Sequence, residues 1–310
     1  MLTNARRKRL ELQGYRLTGE HSAVKICFYC KQAIRGKDVC YKNKFYGIKS
    51  WRCVQASVSL EVCNLRCNWC WRDVGYTRNY DKLDKPAEIV DGLIKEHVKL
   101  LYGFYGSENV DRKKLDESMK PLHIALSLTG ETCLYPKLPE LVDEILGRGM
   151  SCFIVSNGTM PEMVKKLVKH QPTQMYITLP APDKEVYEKC CKPLIKDGWE
   201  RIIKSLGLLG EFKRGVVRLT LAKEMNMVNA NRYAGILKNV DFKFLEIKAA
   251  MGVGDSKYRM RYEQMPLHNE IVDFAHEICR LTGWKIVDEK EESRVVLVMR
   301  KDFKGRKLEF

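Results

Sequence analysis

Hydrophobic and polar positions alternate along this chain in two rhythms. Short apolar or alternating runs, bounded by turn residues, predict strands at 57–62, 122–128, 151–156, 174–179, 216–221 and 242–248. Between them, apolar positions three and four apart predict helices at 85–102, 138–148, 161–169, 197–209, 229–238 and 267–281. The clearest helix is 85–102. Lys85-Pro86 opens it, and Ile89, Leu93, Val98 and Leu101 line one face. Strand–helix alternation predicts an α/β fold with a parallel sheet and right-handed crossovers. Six such units, rather than eight, predict a partial (β/α)6 TIM-like barrel.

The flanks read differently. Residues 1–26 form a basic, partly helical lead-in, and 27–56 form a cysteine-rich segment. Residues 103–120 are charged and read as an insertion or mobile loop. Residues 284–288 and 294–299 predict a hairpin or two added strands before a basic tail. The expected organisation is therefore 1–56 as lead-in and cysteine segment, 57–283 as the barrel, and 284–310 as hairpin and tail.

Composition narrows the function. The 310 residues are 45% hydrophobic, enough for a sizeable core. Lys and Arg number 55 against 39 Asp and Glu, a net charge of +16. That excess favours a polyanionic partner, nucleic acid first. No run of 18 apolar residues exists, so no transmembrane helix and no membrane partner are expected. The basic N-terminus has no apolar core of a secretory signal, so a cytoplasmic protein is expected. Disulfides are rare there. Twelve cysteines, seven of them between Cys27 and Cys70, then read as metal ligands or core residues.

The sharpest chemistry lies in Cys63-Asn64-Leu65-Arg66-Cys67-Asn68-Trp69-Cys70. Structural zinc sites close with four ligands. Electron-transfer cubanes also take four cysteines. A three-thiolate loop leaves one metal position open, as a catalytic site requires. The run resembles the C-x3-C-x-aromatic-C signature of the radical S-adenosylmethionine (SAM) superfamily, with Trp69 as the aromatic. Resemblance implies that Cys63, Cys67 and Cys70 hold a [4Fe-4S] cluster whose free iron takes the amino and carboxylate groups of SAM. It also implies an open barrel of this superfamily's type. Thr129-Gly130-Glu131, after the second strand, resembles the family's glycine-rich segment that holds the SAM amino group, with Thr129 in place of the first glycine. Ser156-Asn157, after the third strand, and Thr178, near the end of the fourth, are the further expected SAM contacts.

Cys27, Cys40 and Cys53 form a second set, with twelve residues between neighbours each time. By ligand count, with Cys30 added, they read as a zinc site; as three thiolates they read as a second cubane. Together with the C-x3-C-x2-C loop and the basic charge, this spacing resembles the archaeal radical SAM 4-demethylwyosine synthases of the tRNA wybutosine pathway. The resemblance runs from about Cys27 to the C-terminal hairpin. It implies a second [4Fe-4S] cluster on Cys27, Cys40 and Cys53, with Cys30 outside the family's ligand pattern. The implied substrate is tRNA(Phe) carrying 1-methylguanosine beside the anticodon, condensed with pyruvate carbons into tricyclic 4-demethylwyosine. Lys42 matches the family's lysine that holds pyruvate as a Schiff base. The electron donor is expected to be an external flavodoxin or ferredoxin, and the enzyme a monomer.

Two other readings of the residues stay open at this level. One is a radical SAM enzyme with an auxiliary cluster acting on a peptide or protein. The other is a zinc-dependent RNA-binding protein without catalysis. For RNA contact, Trp71, Tyr76, Tyr46 and Tyr258 are candidate stacking rings, and Arg52, Arg72, Lys257, Arg259 and Arg261 candidate phosphate partners. Cys152 and Cys279 read as small core residues, and Cys133, Cys190 and Cys191 as thiols near the active face.

Overall fold

The structure is a computed structural model that describes residues 2–310. These fall into two compact units. The first gathers the chain through Val62, then Arg78–Val155 and Lys307–Phe310; the second gathers Cys63–Thr77 and Ser156–Arg306.

In the first unit, β1 (Arg16–Thr18) and β2 (Ser22–Val24) form an antiparallel hairpin, and β2 pairs antiparallel with β3 (Cys53–Ser57). Next come β4 (His123–Leu126) and β5 (Ser151–Ser156), with β3, β4 and β5 mutually parallel. Cys53 stands opposite His123, which stands opposite Ser151. The central strands are buried on both faces, so they read as continuous apolar runs such as His-Ile-Ala-Leu and Ser-Cys-Phe-Ile-Val-Ser. Helices Pro86–Leu101 and Leu138–Gly147 supply the crossovers.

In the second unit, β6 (Gln174–Thr178), β7 (Gly215–Leu221) and β8 (Phe244–Ala249) are parallel. Helices Pro161–His170, Lys184–Cys191, Gly198–Gly207, Ala230–Lys238 and His268–Thr282 accompany them. The added C-terminal strands are β9 (Lys285–Lys290) and β10 (Val295–Met299), and β10 runs antiparallel to both β8 and β9. Three parallel strands in each unit account for the six β/α repeats of the hydrophobic pattern.

Several elements depart from the sequence reading. The first parallel strand is Cys53–Ser57, not 57–62. Val58, Leu60 and Val62 are buried, and so are Ser59 and Glu61 between them. They are buried in a turn, with Val62 N–H donating to Ser59 O (2.9 Å) and Glu61 at a φ of +65°. The apolar–polar alternation of the sequence there corresponds to neither strand pairing nor one-sided burial. Cys53 therefore opens a sheet strand instead of closing a separate segment.

Residues 103–120 are not simply a loop. Asp111 caps a helix, Arg112–Ser118, by accepting from the Lys114 N–H (3.1 Å). The single apolar residue of that helix, Leu115, is fully buried with Leu101, Ile34 and Cys30. One apolar position in seven leaves no periodicity to read. The lead-in contributes the helix Asn4–Leu12 and then joins the sheet through β1 and β2.

Candidate active site

In the first unit, the cysteine segment folds as two short helices and a turn. Cys27 precedes helix Phe28–Ile34, Cys40 precedes helix Tyr41–Tyr46, and Cys53 begins β3 after the turn Ser50–Arg52. The three thiols are near enough to act on one another. Burial pushes the Cys53 thiol up to about 12, the Lys42 ammonium pulls it down, and Cys27 and Cys40 push it up further. Cys30 is more deeply buried. Its side chain lies in the apolar cluster of Ile26, Ile34, Leu101 and Leu115, on which Cys27 also packs, and its Sγ donates to the Trp51 carbonyl (3.7 Å). Burial first, then Cys27 and Cys53, hold that thiol well above its usual range.

Lys42 projects from the helix that Cys40 opens. Its Nζ lies 5.3 Å from the centre of the Phe153 ring. His123 is close by. Burial first, then Arg52, Lys49 and Lys42, push that imidazole down to about 3, so it is neutral at physiological pH. Its Nε2 accepts from the Lys49 N–H (3.2 Å), which leaves the proton on Nδ1 to donate to Ser151 Oγ (2.7 Å).

The Thr129-Gly130-Glu131 segment follows β4. Gly130 has a φ of +78°, and a Cβ there would collide with the Ser59 carbonyl oxygen, so only glycine fits. The Thr129 carbonyl accepts from Ser57 Oγ (2.5 Å), while its own Oγ1 is buried without a partner among the described residues. Glu131 is buried, and its Oε1 accepts from the Cys133 N–H (2.9 Å). The buried, unpartnered Thr129 hydroxyl is a group that a polar ligand such as SAM would satisfy.

In the second unit, the loop of Cys63, Cys67 and Cys70 is pinned from several sides. Arg66 and Asn68 donate their N–H groups to the carbonyls of Cys191 (2.8 Å) and Cys190 (2.9 Å). The Arg72 guanidinium is buried and donates to the carbonyls of Leu65 (2.7 Å) and Tyr76 (2.9 Å), and the Arg259 guanidinium donates to the carbonyls of Cys70 and Arg72. Trp69 packs on the cluster of Ala222, Ala250 and Met260. Asn157 donates through Nδ2 to Asn64 Oδ1 (3.0 Å) and comes within 4.0 Å of Cys63 Sγ. Ser156 Oγ accepts from the Gly158 N–H (3.0 Å). Thr178 ends β6 opposite Arg218. Arg218 in turn is paired with the fully buried Glu246 (2.9 Å).

A hydrogen bond with Cys191 and burial hold the Cys67 thiol well above its usual range. Burial also raises Cys70, against the pull of Arg72. Among the described residues, no three His, Cys, Asp or Glu side chains are already gathered into a closed metal-binding group. The donors are nevertheless all soft thiols, with guanidinium groups beside Cys70 to offset thiolate charge. That chemistry suits an iron–sulfur cluster.

Some expected RNA contacts are used otherwise. Tyr46 is fully buried and cannot stack a base. Arg72 and Arg259 support the cysteine loop, Arg52 donates to Lys120 O (2.7 Å), and Arg261 pairs with Glu224. Sequence reasoning missed the grip of Cys190 and Cys191 on the loop and the Arg218–Glu246 pair. Each joins residues tens of positions apart, and no local pattern announces it. Cys133 and Cys152 are core residues, as burial of both shows.

Comparison with known proteins agrees with this architecture. A family model described as the radical SAM superfamily matches residues 57–228, and one described as wyosine base formation matches 241–300. An S-adenosyl-L-methionine-dependent tRNA 4-demethylwyosine synthase of Pyrococcus horikoshii is 43% identical over 297 residues, covering 94% of this chain and 87% of that protein. Its counterpart in Methanocaldococcus jannaschii is 34% identical over 305 residues, covering 96% of each. A structure of TYW1 with a lysine-pyruvate adduct bound superposes with a TM-score of 0.91 at 33% identity, covering 99% of this chain and 100% of that one. A crystal structure of archaeal TYW1 gives 0.82 at 30% identity, covering 99% and 100%. The fold is thus the α/β partial barrel of radical SAM type with added C-terminal strands, and the family implies SAM and a [4Fe-4S] cluster. The chain belongs to the radical SAM 4-demethylwyosine synthase family and is an enzyme of that type, of the tRNA wybutosine pathway.

Proposed function

We propose that this enzyme joins 1-methylguanosine, next to the anticodon of tRNA(Phe), to pyruvate carbons and so forms tricyclic 4-demethylwyosine. The observation that carries this reading is the placement of the Lys42 ammonium within electrostatic reach of Cys53, itself beside Cys27 and Cys40. A relative with a lysine-pyruvate adduct supports it.

Cys63, Cys67 and Cys70 hold the [4Fe-4S] cluster on which SAM binds. The chemistry supplied by that group when bound is one-electron cleavage of SAM, giving methionine and a 5′-deoxyadenosyl radical that takes a hydrogen atom from the N-methyl group. Cys27, Cys40 and Cys53 hold a second [4Fe-4S] cluster. Thr129, Gly130 and Glu131 receive SAM by close backbone approach, and Ser156, Asn157 and Thr178 contribute further polar contacts. Lys42 Nζ, after giving one proton to solvent, attacks the pyruvate carbonyl carbon as the neutral amine, the carbonyl oxygen leaves as water, and a C=N bond holds the three-carbon unit in place. Neutral His123 adds no charge beside that amine. The electron arrives from an external flavodoxin or ferredoxin, and the enzyme works in the cytoplasm as a monomer.

The test is anaerobic turnover with SAM, pyruvate, reductant and tRNA bearing 1-methylguanosine, with unmethylated tRNA as control. A tricyclic nucleoside that requires both the methyl group and pyruvate is the expected product. Borohydride should trap pyruvate on the wild-type chain and not on Lys42→Arg. A tricyclic product made without pyruvate, or an adduct retained in Lys42→Arg, would overturn the reading.

A further inference from the structure

Residues 251–267, which follow β8 in the second unit, carry side chains that the chemistry above leaves unused. Tyr258 is 75% exposed and Tyr262 74% exposed. Met251, Val253 and Leu267 are exposed in the same stretch. Apolar surface of this kind, concentrated in one short segment, marks an interaction site more often than chance exposure. Lys257 Nζ lies 5.0 Å from the centre of the Tyr258 ring, so a cation flanks the aromatic face.

This stretch is not a loose loop. Gly254, at a φ of +60°, packs so close to the Trp71 carbonyl that a Cβ would stand 2.5 Å from it. The Asp255 N–H donates to the same carbonyl (2.9 Å). Arg259 donates to the carbonyls of Cys70 and Arg72, and Ser256 Oγ closes the turn on Val253 O (2.7 Å). Met260 and Met265 pack with Trp69. The exposed rings thus stand on a support bonded to the backbone of the loop that bears Cys63, Cys67 and Cys70. They also lie within the match to the wyosine base formation family, 241–300, beyond the end of the radical SAM match at 228.

We infer that Tyr258 and Tyr262, with Lys257, form the platform on which unpaired bases of the anticodon loop stack beside the nucleotide being modified. The inference rests on the tRNA reading above. Its chemistry is that of single-stranded RNA recognition: aromatic faces take splayed bases regardless of sequence, and cations track the backbone. The net charge of +16 favours the same polyanion. The platform is attached to the cysteine loop, so a base stacked there holds its neighbour near Cys63, Cys67 and Cys70 of the same unit.

The experiment measures equilibrium binding of tRNA bearing 1-methylguanosine to the reconstituted enzyme, together with the salt dependence of that binding. Tyr258→Ala and Tyr262→Ala should each weaken binding about 5- to 160-fold, the range for loss of one base–aromatic stack. Tyr258→Phe should restore it, because the ring and not the hydroxyl does the stacking. Lys257→Ala should lower the slope of log K against log salt by about 0.7, whereas the tyrosine variants should leave that slope unchanged. SAM cleavage without tRNA should match wild type in all of them, and Tyr102→Ala, an exposed ring in the first unit, should bind as wild type. Wild-type tRNA affinity in both tyrosine variants overturns the platform while leaving the tRNA reading intact. Intact tRNA binding with a loss of turnover only when a flavodoxin supplies the electron overturns it in favour of a protein partner. Failure of the wild-type enzyme to bind tRNA at all overturns both readings.

Discussion

His97 offers a quantitative test of how burial governs this chain. It lies on the helix Pro86–Leu101, fully buried, and neither ring nitrogen has a hydrogen-bond partner among the described residues. Burial alone pushes its pKa down to about 4. In the unfolded chain the imidazole returns to about 6.5. Between these values the unfolded state binds a proton that the folded state refuses, so stability falls as pH drops from 6.5 towards 4. At pH 5 the loss relative to pH 7.5 is about 2 kcal/mol, approaching about 3 kcal/mol below pH 4. His97→Leu removes both the titration and the unpaired ring N–H. It should be neutral to about 1 kcal/mol stabilising at pH 7.5, and its advantage should grow by about 2 kcal/mol at pH 5. Urea unfolding of both proteins at the two pH values reads this as a widening gap in midpoint of about 0.7 M, for an m value of about 3 kcal/mol/M. Every other titrating group is common to both chains and cancels. A difference that does not change with pH would refute the argument that burial keeps this histidine neutral.

Two further outcomes concern the site. Gly130→Ala forces a side chain into a left-handed backbone against the Ser59 carbonyl; it should destabilise the chain by about 1–2 kcal/mol and weaken SAM binding, measured by calorimetry, and a variant with wild-type melting and affinity would contradict this role of Gly130. Cys30→Val should leave the iron content unchanged because that thiol packs in an apolar cluster, whereas Cys53→Ala should lose about four irons per chain, the content of one cubane. Equal iron loss in both would make Cys30 a ligand.

The local pattern of the chain determined what depends on short spacings. Periods of two and of three to four residues marked the β/α repeats, because each strand and helix buries one side of itself. Cys63, Cys67 and Cys70 fall within eight residues, so their three-thiolate donor set could be read directly. The match of Lys42, two residues after Cys40, was equally local. Tertiary structure decided the rest. It moved the first parallel strand back to Cys53 and folded 58–62 into a turn that buries its polar and apolar side chains alike. It buried Leu115 and made a helix of what looked like a charged loop. It sent Cys30 into the core with Leu101 and Leu115, and turned Arg72 and Arg259 from expected phosphate partners into braces for the cysteine loop. It left Tyr258 in water and took Tyr46 out of it. The physical reason is the same in each case. Whether a side chain meets water, a carbonyl or another side chain depends on residues far away in sequence, and a window of a few positions contains none of them.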